Sequence, residues 1–255
     1  MKRFIKILTI CLCMIFFCDS ISAHAGGGVG GGGGGGSSSG GGSSPGGDNT
    51  SSRGDSNPIM SILSMGSFIV ISFGGSIMAI RLRNRKSREG HQMMKRLSTL
   101  DPIWNEDALN QYVSEIFYEI QYSWAAMDID RLKHYLTPHL LEQWRGKLEW
   151  MNQREEINIM KDIQLKGRKV VGVYDFEDDD KDFVWYYIKA SMIDYNMNRR
   201  TKVVTEGEPE KVITFEEYWK FQRIGNQFYL DDVMYTSEVD TDAFRSISES
   251  MKKDS

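Results

Sequence analysis

Cysteine is nearly absent from this chain: Cys11, Cys13 and Cys18 are the whole set, and all three lie within the first 25 residues. The rest of the protein therefore carries no disulfide, thiolate nucleophile or cysteine-bound metal. Histidine is almost as scarce, four in 255 residues, and His91, His134 and His139 form no HExxH pattern. No GxGxxG or P-loop run sits between a strand and a helix, so neither hydride nor phosphoryl transfer is indicated. The acidic run Asp175, Glu177, Asp178, Asp179, Asp180 and Asp182 lacks the central glycine and closing glutamate of a calcium loop. It reads as a solvated turn. No metal and no cofactor is expected, and no catalytic residue is assigned. Asp194 beside Tyr195, Asp231 beside Asp232 and His134 beside Tyr135 are the closest approaches to an acid–base pair. Neighbours on a strand point to opposite faces, so none of these has a spacing that chemistry requires.

Charge is missing altogether from Ile59 to Ile80. A helix over these positions would span roughly 33 Å, so a transmembrane helix is expected at 59–80. Lys2, Arg3 and Lys6, the apolar run Ile7 to Cys18, and Ala23-His24-Ala25 read as a signal peptide at 1–25. Residues 26–57 are nearly all glycine and serine, a composition that buries no core and reads as a disordered linker. A basic juxtamembrane segment, 81–99, comes directly after the run. Arg81, Arg83, Arg85, Lys86 and Arg88 are expected to contact anionic headgroups and to keep the rest of the chain on the cytoplasmic side. The expected topology is thus single-pass in the plasma or inner membrane, with the linker outside and the C-terminal domain cytoplasmic.

The polar remainder divides sharply in charge. Residues 81–96 hold seven Lys/Arg against Glu89 alone, whereas residues 97–255 hold 20 Lys/Arg against 31 Asp/Glu, a net of −11. Such a body repels nucleic acid, which is not expected as a partner. Its first half has helical period. Leu109, Val113, Ile116, Phe117, Ile120, Trp124 and Met127 form one apolar stripe behind an Asn105 N-cap. A short helix is expected from Ile129 to Tyr135, and Thr137-Pro138 opens another lined by Leu140, Leu141, Trp144, Leu148 and Met151. The second half changes to period 2. Strands are expected at Ile157–Val173 and Asp182–Tyr195, with a short piece at Thr201–Thr205 before a Gly207–Pro209 turn. Val212–Arg223 and Gln227–Met234 close a hairpin around Gly225-Asn226. Helices first and antiparallel strands afterwards make an α+β fold.

The runs Ile120-Gln121-Tyr122-Ser123-Trp124, Asp128-Ile129-Asp130-Arg131-Leu132 and Leu136-Thr137-Pro138-His139-Leu140-Leu141 closely resemble the Tim44-like domain. Phe215-Glu216-Glu217-Tyr218-Trp219-Lys220-Phe221 and Phe228-Tyr229-Leu230-Asp231-Asp232-Val233 look like its closing hairpin. The resemblance covers residues 100–235, leaves 236–255 as a polar C-terminal tail, and looks like the membrane-anchored bacterial members. It implies a cone-shaped fold of the nuclear transport factor 2 type, with a curved sheet around an apolar cavity. It also implies a non-enzymatic scaffold that binds a protein partner at the inner leaflet. Lipid or small apolar ligand binding in the cavity is the alternative, with Trp124, Trp185, Tyr187 and Trp219 as pocket-lining candidates; an isomerase- or dehydratase-type enzyme stands behind both. A Gly75-x-x-x-Ala79 face in the apolar run leaves homo-oligomerisation open.

Overall fold

The computed structural model describes residues 58–252, with side chains from 77 to 251. They fall into two compact units divided between Leu82 and Arg83. The described part of the first is helical and leaves Ile77, Met78 and Ile80 exposed. The segment expected to cross a membrane is the beginning of one 40-residue helix, α1, Pro58–Leu97, that continues without a break through the basic cluster. Among the described residues no helix is long and apolar enough to cross a membrane. A spanning helix needs about 20 apolar residues bounded by polar ends, whereas the second half of α1 is charged and packs on protein. Lys86 and Met94 in that half are buried, as is Leu97. The transmembrane helix is therefore corrected. With it go the single-pass topology, the membrane and its headgroups as partner, and the cytoplasmic assignment that depended on the span. The signal peptide at 1–25 and the linker at 26–57 lie outside the described residues.

In the second unit α2, Glu106–Ala125, starts where Asn105 accepts a hydrogen bond from the Ala108 N–H. Its apolar stripe is buried along its whole length. A short α3, Ile129–Leu132, is capped by Asp128, and α4, Pro138–Gln153, by Thr137, each side chain satisfying a free N–H of the first turn. Five strands complete the unit: β1, Glu156–Asp175; β2, Phe183–Asn198; β3, Val204–Ile224; β4, Gln227–Tyr235; and β5, Ser246–Ser248. The sheet order is β4-β3-β2-β1-β5, antiparallel except for the β1–β5 pair. Bulges in β1 and β3 bend the long strands into a curved half-barrel.

Period-2 alternation on β2 sorts its side chains as its sequence indicates. Val184, Tyr186, Ile188, Ala190 and Met192 enter the core under the helices. Trp185 and Tyr187 pack on the other face with Val171, Tyr218 and Phe244. Phe244 comes from the C-terminal residues read as a polar tail, which instead add β5 and cover this second face.

The Gly207–Pro209 turn is replaced by a bulge within a single 21-residue β3. Gly207 pairs with Tyr195 and Val212 with Ile193, so residues 208–211 stand opposite Asp194 alone. Gly207 holds φ at +77°, and a Cβ there would come within 2.6 Å of the Asp194 carbonyl oxygen. Gly207→Ala is expected to cost about 2–3 kcal/mol, the left-handed penalty plus a backbone clash. Urea unfolding would detect this, and a loss below about 0.5 kcal/mol would place the bulge elsewhere.

Candidate functional site

Helix α4 is stitched to strand β4 by backbone and side chain together. Thr137 donates its N–H to the Leu230 carbonyl at 2.9 Å, and Leu230 donates to the Tyr135 carbonyl at 2.8 Å. The Thr137 hydroxyl also donates to Asp231 at 2.9 Å, where Lys220 holds the second carboxylate oxygen at 2.8 Å. This seam sets one face of α4 beside the end of β4 and the turn beyond it. Between them lies a cleft of about 200 Å³ lined by Leu140, Gln143, Trp144 and Lys147 on one side and Asp232, Val233, Tyr235 and Glu238 on the other.

The helical residues recur at three- and four-residue spacing, as one face must. Three of them suit a core stripe or its border, and Lys147 does not. Burial lowers the pKa of its amine, and among the described residues it has no hydrogen-bond or ion-pair partner. Burial raises the Asp232 carboxyl despite the Val233 N–H it accepts. Tyr235 is pushed up to about 12, first by burial and then by the negative charge of Glu217, Glu238, Asp194 and Glu206. Glu217, fully buried, accepts the Trp219 indole N–H at 2.8 Å. Asp194 and Asn196 share the Asn158 amide, at 2.7 and 2.9 Å. The helix-facing surface thus passes from an apolar core to a polar floor beside the cleft.

Behind the cleft, Trp144 meets Trp124 edge to face with centroids 5.1 Å apart. Trp124 is 4% exposed, and its indole nitrogen has no hydrogen-bond partner among the described residues. One turn earlier Gln121 is fully buried, and neither of its amide atoms finds a partner among them. Phe117, a further turn back, packs on Trp219 at 5.5 Å.

The structure separates the four aromatic candidates. Trp124 and Trp219 lie in the helix-covered core, and Trp185 and Tyr187 on the far side of the sheet, where Trp185 packs against Phe244 at 5.3 Å. The two pairs therefore cannot line one pocket. The basic cluster is divided too. Arg81 and Arg88 are exposed. Arg83 donates to Glu216 at 2.6 Å and lies 4.3 Å over the Tyr187 ring. Burial would raise the Glu216 carboxyl, but hydrogen bonds from Lys189, Arg83 and Tyr187 outweigh it and hold the group down at about 2. Arg85 pairs with Asp242 at 2.6 Å, and buried Lys86 donates to the Phe244 carbonyl at 2.7 Å. These side chains find their anions on the acidic domain itself.

The acidic turn is not simply solvated. Asp182 is fully buried, and Arg223 reaches it at 3.2 Å while also holding Asp101 at 2.7 Å and Asp179 at 2.9 Å. Among the described residues no group of three or more His, Cys, Asp or Glu could hold a metal ion.

Sequence reasoning placed Trp144 on the inner face of its helix but missed Gln143, Lys147, Asp232, Tyr235 and Glu238 as a group. One signal was present: Lys147 interrupts the stripe, three residues after Trp144 and seven after Leu140.

The profile of the Tim44-like domain family matches residues 91–231. Comparison with curated proteins finds no match. Among solved structures, the intermembrane space region of chloroplast protein ARC6 is similar at 13% identity and a TM-score of 0.31, covering 45% of this chain and 91% of that one.

Proposed function

We propose, from the premise that this chain belongs to the Tim44-like domain family, that it is a non-enzymatic binding protein whose domain docks a protein partner in the α4–β4 cleft. The observation that carries this reading is the cleft itself: a concave site with a half-buried, unpaired ammonium facing the desolvated Asp232 carboxyl of β4. Its polar lining is a poor match for an acyl chain, so a lipid is not the occupant we propose. At about 200 Å³ the cleft has room for one anchoring side chain or chain end of a larger partner.

In-cell photo-crosslinking tests the reading. A crosslinking residue at Gln143 or at Glu238 is expected to capture the same discrete protein, saturably. One at Lys202, on an exposed loop before β3, is expected to give none of it. Unrelated products from the two cleft positions, or equal capture from position 202, would defeat the proposal.

A further inference from the structure

We propose that Lys147 is an anchor for a carboxylate of the docked polypeptide, either its chain terminus or an acidic side chain. This rests on the α4–β4 cleft being the docking site, and it gives the partner a chemistry. The domain is rich in acid, 31 Asp/Glu against 20 Lys/Arg over residues 97–255, so a basic side chain there has carboxylates at hand. Other basic side chains of the domain use them: Arg145 pairs with Glu142, Lys220 with Asp231 and Arg131 with Glu119. Lys147 forms no such pair with any described residue, although two carboxylates line the same cleft. Asp232 accepts its own neighbour's Val233 N–H at 2.8 Å, and Glu238 accepts the Tyr235 N–H at 3.3 Å.

Holding a partly buried ammonium beside Trp144 without a counter-ion is unfavourable, and burial lowers its pKa accordingly. No described residue offsets that cost. An incoming carboxylate would offset it, through a charge-assisted hydrogen bond in a partly desolvated site. The wall behind holds neutral donors that are also unpaired. Among the described residues the buried Trp124 indole N–H has no acceptor, and it sits against the Trp144 ring that lines the cleft. Gln121 lies one turn earlier with its amide likewise unpartnered. The volume fits a carboxylate carried on one residue.

The test uses the full chain labelled with nitrogen-15 at the tryptophan indoles and three N-acetylated probes of one apolar five-residue sequence. The first ends in a free carboxylate, the second is amidated, and the third is amidated with a central glutamate. The first or third is expected to shift the Trp124 and Trp144 indole signals saturably, and the second to leave them in place. A response to the first alone identifies a chain terminus, and to the third alone an acidic side chain. Lys147→Arg is expected to bind within about threefold of the parent, and Lys147→Met at least about tenfold more weakly. Because Lys147→Met removes an unpaired, partly buried charge, it is expected to melt no lower than the parent; a purely structural lysine would lower the melting temperature. Equal shifts from the amidated probe, unchanged binding by Lys147→Met, or no shift up to on the order of 10 mM would overturn the inference. If position 143 still captures its partner while all three probes fail, the carboxylate inference falls alone. If capture fails too, the docking reading falls with it.

Discussion

Arg223→Met is expected to destabilise the fold by about 3–5 kcal/mol at neutral pH, the cost of leaving a buried ion without its partner. Arg223 is 5% exposed, and its guanidinium is divided among Asp101, Asp179 and Asp182. Asp101 and Asp179 reach water and lose little. Asp182 does not, and with Arg223 gone its carboxylate would be left with the Phe176 N–H at 2.7 Å. Burial, with the Asp175 carboxylate adding to it, pushes the Asp182 carboxyl up to about 6 against the hydrogen bonds from Phe176 and Arg223.

The loss in this variant depends on pH. A carboxyl whose pKa is raised on folding contributes stability below its unfolded value near 4 and loses it as pH rises through about 6. Removing Arg223 raises that carboxyl further. The deficit of Arg223→Met, measured by urea unfolding, is therefore expected to be larger at pH 8 than at pH 5. A deficit equal at both pH values would mean that Asp182 is not the group left stranded.

Trp219→Ala is expected to be at least as damaging, about 4–6 kcal/mol. Truncating a buried aromatic costs about 3–5 kcal/mol, and a lost donor to a buried carboxylate adds about 1 kcal/mol or more. Trp219 is fully buried, packs on Phe117 and donates to Glu217. Typical domain stability is only about 5–15 kcal/mol, so the variant stands near the edge of folding. Trp185→Ala makes the comparison, because Trp185 lies in the smaller outer cluster under Phe244 and is expected to cost about 2–3 kcal/mol. Denaturant unfolding of both variants would check the ranking. If Trp219→Ala cost less than Trp185→Ala, the large indole would not be filling the principal core.

The features legible in the sequence were those that neighbours along the chain decide. Asn105, Asp128 and Thr137 cap their helices because capping is a contact over three residues. The stripe of α2 and the alternation of β2 come from periods of 3.6 and 2, and the order of these elements carried the family. The Gly207 bulge was legible as a glycine that matters but not as a bulge, since the same backbone angle serves a turn or an inserted residue.

Tertiary structure decided the rest. Arg223 meets Asp182 across 41 positions, and Lys86 meets Phe244 across 158. No local pattern predicts such pairs, because their energy comes from burial that exists only once the sheet has closed. The same reason hid the cleft. Leu140, Gln143, Trp144 and Lys147 are one helix face by arithmetic, but only the Thr137–Leu230 seam brings Asp232 and Tyr235 opposite them.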